Sequence, residues 1–140
     1  MEKLLLTKKA VDAISYKIIG AAIEVHKALG PGLLESVYQK CLAHELKQRN
    51  IGFAVGLSTP IIYKGETLNA ELRCDIFVED CIVIEIKAVE GLLPIHLAQC
   101  LTYMRMLQAP KGILLNFNCC NLFHEGQRTV VNDVYAELTP

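Results

Sequence analysis

The stretch that decides the fold is Cys81–Ala88, which reads CIVIEIKA. Its side chains alternate between the two faces of an extended chain, and one of these faces is entirely apolar: Ile82, Ile84, Ile86 and Ala88. A run this rich in apolar residues is typical of a strand that is covered on both sides. Glu85 and Lys87 nevertheless share the other face. Because a buried ion without a partner is costly, they form either a structural ion pair at the strand end or part of a functional site.

Asp75, ten residues before Glu85, favours the functional site. It lies in Asn69–Val78, an alternating segment that predicts a strand, and Glu79-Asp80 then predicts a hairpin turn. A two-residue turn would put Asp75 and Glu85 on opposite faces, whereas a three-residue turn or a bulge would pair them. Two facing carboxylates repel each other unless a cation joins them, so the second register predicts a metal site.

The spacing of Asp75, Glu85 and Lys87 on a hairpin resembles the D…E-x-K signature of the PD-(D/E)XK nuclease superfamily. Cys74 stands where that signature usually has proline. The resemblance implies an enzyme that hydrolyses phosphodiester bonds of nucleic acid with Mg²⁺ or Mn²⁺, hard cations that prefer oxygen ligands. Lys87 would then orient and help deprotonate the attacking water, or stabilise the charge that develops on phosphorus.

Two other motifs extend this resemblance. Residues 32–38 spell G-x-x-E-x-x-Y, although the pattern alone favours the explanation of Glu35 as an acid stabilised in the first turn of a helix. Gln99 and Tyr103 spell Q-x-x-x-Y on a predicted third helix. The order of these motifs, from about residue 14 to residue 131, resembles the GxxExxY family and the RecB-like QxxxY type of these nucleases.

The resemblance implies roles for a set of site positions. The implied catalytic residues are Glu35, Asp75, Glu85 and Lys87. The implied metal ligands are Asp75, Glu85, Glu35 and the main-chain carbonyl of Ile86. The implied substrate contacts are Gln99, Tyr103 and Tyr38. His96 lies on the same helix as Gln99, and its role stays open.

Apolar residues at intervals of three and four predict three helices. The first ends at Gly30, the second begins at Pro31, and the third is opened by Pro94. The third helix is expected to turn three residues inward: Leu97, Leu101 and Met104. Besides the hairpin, we expect strands at residues 53–55, 60–63, 112–117, 122–123 and 128–131.

These elements predict an α/β fold, a three-layer restriction-endonuclease-like core in which helices flank a mixed β-sheet that contains the catalytic hairpin. The 140 residues are 52% hydrophobic and 21% charged, a composition typical of a globular chain with little disorder. We therefore expect a single nuclease-like domain over residues 1–140, with a short polar tail from about residue 132.

The net charge of −1 argues against a broad basic surface for nucleic acid. The net charge is a weaker argument against a nuclease, because the metal of a nuclease neutralises the scissile phosphate locally. We expect a nucleic-acid substrate, DNA more than RNA, and we hypothesise that two copies form a homodimer to build the binding groove. The alternative is a non-catalytic module that keeps the nuclease fold and acts through a protein partner.

The cysteine and hydropathy patterns do not indicate any other class of protein. The six cysteines include no C-x-x-C pair, which disfavours both a metal site at Cys119-Cys120 with His124 and a thiol redox function. The longest apolar run, Ile18–Ile23, is far shorter than the ~20 residues that span a bilayer. We expect a soluble cytoplasmic protein with no membrane association.

Overall fold

The computed structural model of the chain describes residues 6–140, without the side chains of residues 70 and 71. The helices are α1 (Lys8–Leu29), α2 (Glu35–Gln48), α3 (Pro94–Leu107) and α4 (Asp133–Ala136). The strands are β1 (Phe53–Tyr63), β2 (Glu66–Val78), β3 (Ile82–Lys87), β4 (Lys111–Asn116) and β5 (Gln127–Val131). None of the helices within the described range is both long and apolar enough to cross a membrane.

Over the described residues, five strands form one mixed sheet in chain order, β1-β2-β3-β4-β5. β3 and β4 are parallel, whereas the other neighbouring strands are antiparallel. A parallel pair needs a crossover connection, which α3 provides. Helices α1 and α2 pack on one face of the sheet and α3 packs on the other, which confirms the predicted three-layer α/β core.

Strand β3 lies at the centre of this core and is buried at every position except the half-buried Lys87. Its isoleucines pack in the larger apolar cluster beneath α1 and α2. Val83, on the opposite face, packs in the smaller cluster beneath α3. The interpretation of this stretch as a strand covered on both sides is therefore confirmed.

The inward face of α3 differs from the prediction. Cys100 and Met104 are fully buried, whereas Leu97 and Leu101 are 37% and 39% exposed. Gly112 of β4 explains the difference, since a Cβ at this position would lie 2.6 Å from both Cys100 Sγ and Met104 Sδ. The missing side chain of Gly112 thus creates the space into which this face of the helix packs.

The hairpin of β2 and β3 has the register that pairs the two acidic positions. Ile76 lies opposite Ile84 and Val78 lies opposite Ile82, which leaves a three-residue turn, Glu79–Cys81. Glu79 and Asp80 adopt left-handed backbone conformations with φ of 49° and 54°. Continuing this register places Asp75 opposite Glu85, as the functional-site hypothesis requires.

Two segments differ from the predicted secondary structure. Helix α2 begins at Glu35, not at Pro31, because Gly30 and Gly32 have φ of 68° and 100° and cannot continue a right-handed helix. The predicted strand at residues 122–123 is instead part of a π-helical turn, Leu122–Gly126. Asn121 is the N-cap residue of this turn, and its side-chain oxygen accepts from the main-chain N–H of His124 at 3.0 Å.

Gly126 closes this turn against the end of β4 and provides a test of the packing. A Cβ at Gly126 would collide with the main-chain oxygen of Asn116 and lie 2.8 Å from Cys119 Sγ. Because a backbone oxygen cannot move aside, Gly126→Ala is expected to lower the free energy of unfolding by about 1–3 kcal/mol in urea denaturation. Gly91→Ala is the control, since no atom lies within 4 Å of that Cβ position. Equal losses in both variants would contradict the packing described.

Candidate active site

The structure brings Asp75 and Glu85 together where the paired part of the hairpin ends. The main-chain N–H of Asp75 donates to Glu85 Oε1 at 3.5 Å. The main-chain N–H of Ile86 donates to Asp75 Oδ2 at 2.7 Å. A carboxylate thus takes a hydrogen bond from β3 that a continued ladder would give to a main-chain carbonyl, and this bond fixes the orientation of the Asp75 side chain.

The backbone of β2 is irregular at Asp75. Cys74 packs beneath α3 in the same cluster as Phe77, whereas Ile76 packs beneath α1 and α2. Unbroken alternation would place Cys74 with Ile76, so the alternation that the sequence predicts for Asn69–Val78 is broken at Cys74. Gly56 of β1, opposite Asp75 by register, has φ of 63°. Such local breaks in a sheet re-aim side chains, and they are common beside active sites.

Burial disfavours the charged forms of both carboxyl groups. Glu85 is only 4% exposed, and burial, followed by the charge of Asp75, raises its pKa to about 8. Burial also raises the pKa of Asp75, although the Ile86 N–H and the Lys87 ammonium oppose this rise. The half-buried Asp75 and the buried Glu85 thus offer adjacent oxygen donors whose charged forms are disfavoured, which fits a hard divalent cation such as Mg²⁺ or Mn²⁺.

Lys87 and α3 form a second side of the site. Lys87 Nζ donates to Gln99 Oε1 at 3.3 Å, so the predicted Gln99 lies beside the predicted lysine. Tyr103 is half-buried, and its pKa is raised first by burial and then by the charges of Glu85 and Asp75. The packing of α3 that follows from Gly112 therefore turns the Q-x-x-x-Y residues towards the carboxylate pair.

Helix α2 contacts the site through two side chains. Glu35 is the first residue of the helix, and its Oε1 accepts from the main-chain N–H of Ala88 at 3.2 Å. Gln39, one turn later, donates from Nε2 to the main-chain oxygen of Asp75 at 3.3 Å. The sequence analysis missed Gln39, although its i, i+4 spacing from Glu35 was the signal that could have found it.

Asn116 is a second residue that the sequence analysis missed. It is 4% exposed at the end of β4, and its side-chain amide makes two hydrogen bonds with the main chain of Val89, at 3.1 and 3.0 Å. These bonds anchor the connector that follows Lys87. An asparagine at the end of an otherwise apolar strand was the available signal.

Tyr38 does not lie where a substrate contact was predicted. Its side chain is fully buried, and its ring stacks on Phe117 at a centroid distance of 4.4 Å. Its hydroxyl donates to the main-chain oxygen of Gly30 at 2.6 Å and accepts from the N–H of Leu33 at 3.2 Å. Because these contacts occupy both ends of the side chain inside the core, the prediction that Tyr38 contacts substrate is corrected.

His96 and Cys119 both have structural roles. His96 Nδ1 accepts from the main-chain N–H of Leu93 at 2.9 Å and so caps the start of α3. Cys119 Sγ donates to the main-chain oxygen of Asn116 at 3.3 Å. Among the side chains that the structure describes, no three of His, Cys, Asp and Glu converge into a metal-holding group, at the cysteines or around Asp75.

The comparisons with known proteins agree with the fold. The profile of the PD-(D/E)XK nuclease superfamily matches residues 12–130, and the chain therefore belongs to this superfamily. The crystal structure of SSO0001 is similar in fold, with a TM-score of 0.53, 19% sequence identity, and coverage of 94% of this chain and 69% of that chain. A comparison with curated proteins gives no match.

Proposed function

We propose that the chain is a Mg²⁺- or Mn²⁺-dependent nuclease of the GxxExxY, RecB-like QxxxY type that hydrolyses phosphodiester bonds, in DNA more than in RNA. The observation that carries this proposal is the pairing of the half-buried Asp75 with the buried Glu85, with Lys87 beside them. A purely structural core gains nothing from two adjacent carboxyl groups whose charged forms are both disfavoured. A site that has to hold a cation needs this arrangement.

Asp75 and Glu85 would hold the cation, with the main-chain carbonyl of Ile86 and the carboxylate of Glu35 as further oxygen donors. When bound, the cation supplies charge stabilisation to the phosphoryl group and acidifies water. The protein contributes the orientation of the ligands. The Ile86 N–H fixes Asp75 Oδ2, and the Ala88 N–H fixes Glu35 Oε1.

Lys87 would act on the phosphate during hydrolysis. A water molecule loses a proton as its oxygen bonds to phosphorus, the bond from phosphorus to the leaving oxygen breaks, and the leaving oxygen gains a proton. The Lys87 ammonium, held by Gln99, would orient the phosphate and stabilise the negative charge that develops on its oxygens. Tyr103, near the carboxylate pair, would contact the substrate strand.

The direct test is cleavage of labelled single-stranded DNA, duplex DNA and RNA with Mg²⁺ or Mn²⁺, and with EDTA as the metal-free condition. We expect metal-dependent cleavage that Lys87→Ala lowers by about 10²-fold or more. Lys17→Ala, on the exposed side of α1, is the matched control and is expected to keep the parent rate.

Calorimetry of Mn²⁺ binding in the same samples decides between the proposal and its alternative. Binding of Mn²⁺ by the parent chain supports the site even with a substrate that is not cut. A chain that neither cleaves nor binds Mn²⁺ would instead be a non-catalytic module with the nuclease fold, acting through a protein partner.

A further inference from the structure

We infer that Tyr38 is a positioning residue that sets the place of Glu35 at the site. This inference rests on the proposed function, in which Glu35 is one of the site residues. It gives the tyrosine of the G-x-x-E-x-x-Y motif a role that does not involve substrate.

The hydroxyl of Tyr38 closes the turn that leads into α2. It bonds to Gly30 at one end of the turn and to Leu33 near the other, at 2.6 and 3.2 Å. Gly30 and Gly32 both have positive φ, so the turn follows a path that few other residues could adopt. Leu34, the N-cap residue, provides no side-chain hydrogen bond to α2. The Tyr38 hydroxyl therefore ties the segment before the helix to the helix itself, and so fixes where Glu35 begins the helix.

The ring of Tyr38 connects this turn to the end of β3. It stacks on Phe117 with an angle of 8° between the ring planes. The main-chain N–H of Phe117 donates to the carbonyl oxygen of Lys87 at 3.0 Å. The next residue, Ala88, donates its N–H to Glu35. Tyr38 thus acts on the Glu35–Ala88 bond through neighbouring residues: its hydroxyl holds the turn before Glu35, and its ring packs on Phe117, which bonds to the residue before Ala88.

The motif spacing follows from this arrangement. Gly32 supplies the positive φ, Glu35 reaches the strand from the first position of the helix, and Tyr38, one turn later, reaches back to the residues before the helix. Residues three apart lie on neighbouring positions of one helix side. Glu35 can therefore bond to Ala88 while Tyr38 bonds to the turn before the helix.

The test compares Tyr38→Phe with Tyr135→Phe. Both substitutions keep the ring and remove a hydroxyl that makes two hydrogen bonds, since Tyr135 donates to the two carboxylate oxygens of Asp12 at 3.1 and 3.0 Å. Asp12 also pairs with Lys111 at the start of β4, and Lys111 is five residues, or about 16 Å, from the end of β4 that lies at the site. Tyr135→Phe therefore measures the general effect of losing a tyrosine hydroxyl.

The first readout is the Ala88 amide in nuclear magnetic resonance spectra, which needs neither metal nor substrate. We expect Tyr38→Phe to shift the Ala88 amide proton in the same direction as Glu35→Gln and to speed its hydrogen exchange. Tyr135→Phe is expected to leave both unchanged. An Ala88 amide that is the same in Tyr38→Phe and in the parent overturns the inference. If Tyr38→Phe does not fold, Gly32→Ala perturbs the same turn, because a side chain at φ of 100° is strained.

The second readout is cleavage. Residues that orient metal ligands typically change activity by about 10- to 100-fold, and we expect a loss of this size in kcat for Tyr38→Phe with KM little changed. In a Glu35→Gln background the same substitution is expected to cost much less, because both changes act through one carboxylate. Full additivity, or an unchanged kcat with a displaced Ala88 amide, overturns the positioning role. If the parent chain cuts no substrate, the proposed function fails while the amide readout still decides whether Tyr38 positions Glu35.

Discussion

Asp75→Asn is expected to lower kcat/KM for metal-dependent cleavage by about 10³-fold or more. Asparagine has nearly the same shape, and its side-chain oxygen can still accept the hydrogen bond from the Ile86 N–H. The substitution therefore removes a negative charge from the site without removing the bond that holds the end of the hairpin together. Calorimetry is expected to show Mn²⁺ binding by the parent and none by Asp75→Asn at the same concentrations.

Asp80→Asn is the matched control for this experiment. Asp80 is exposed in the turn of the same hairpin, five residues from Asp75, with φ of 54°, a conformation that asparagine accepts readily. Its cleavage rate and Mn²⁺ affinity are expected to equal those of the parent. If Asp75→Asn cuts at the parent rate, the catalytic metal site lies elsewhere. If both variants lose activity equally, the loss reflects the hairpin and not the carboxylate.

The core of the fold and the carboxylate pair could be predicted from the sequence because both depend on simple periodicities. The apolar residues of Cys81–Ala88 predicted a strand that is buried on both faces. In the structure, α1 and α2 pack on one face of this strand and α3 packs on the other. The parity of a hairpin allows only two relations between Asp75 and Glu85. The three-residue turn in the structure matches the relation that a shared site needs.

The packing of α3 could not be predicted from periodicity, because a residue on another element determines it. Leu97, Leu101 and Met104 form a good apolar stripe, yet the face that packs contains Cys100. The cause is the absence of a side chain at Gly112, whose effect depends on the parallel pairing of β3 and β4. Contacts of this kind are visible only once the sheet has been assembled.

The roles of Tyr38 and Gln39 show a related limit of sequence reasoning. A motif identifies residues that belong together, but a tyrosine can bond to substrate or to its own backbone with the same spacing. In the structure, Tyr38 bonds to backbone inside the core, and Gln39, which is outside the motif, bonds to the main chain of Asp75. Helix α2 therefore helps to orient the site through contacts with main-chain atoms. Only the three-dimensional arrangement of α2 and β2 determines these contacts.

Glu85→Gln is expected to make the metal-free protein more stable at alkaline pH. In the folded protein Glu85 keeps its proton up to about pH 8, whereas in the unfolded chain the group ionises near its ordinary value of 4.5. Between these values the folded state binds more protons than the unfolded state, so the free energy of unfolding falls as pH rises, by at most about 1.4 kcal/mol per pH unit for one group. Glutamine cannot titrate, and its oxygen can still accept from the Asp75 N–H.

Urea denaturation from pH 5 to pH 9 in EDTA is the measurement. The parent and Glu85→Gln are expected to differ little at pH 5, and the variant is expected to be the more stable protein by pH 8. Asp75 contributes a slope of the same sign in the parent, since burial raises its pKa too. Glu90→Gln, an exposed position on the connector after β3, is the control and is expected to keep the parent slope.

Added Mn²⁺ should reverse the order of the two proteins. A cation binds the ionised carboxylates. Saturating Mn²⁺ is therefore expected to raise the free energy of unfolding of the parent most at the pH where the metal-free protein is least stable. Glu85→Gln has lost one ligand and gains less from the ion. Parallel curves for the parent and the variant in EDTA would mean that Glu85 is ionised in the folded protein without a metal. Reversal by Mn²⁺ would instead identify the cost of burying this carboxylate pair as the property that the cation relieves.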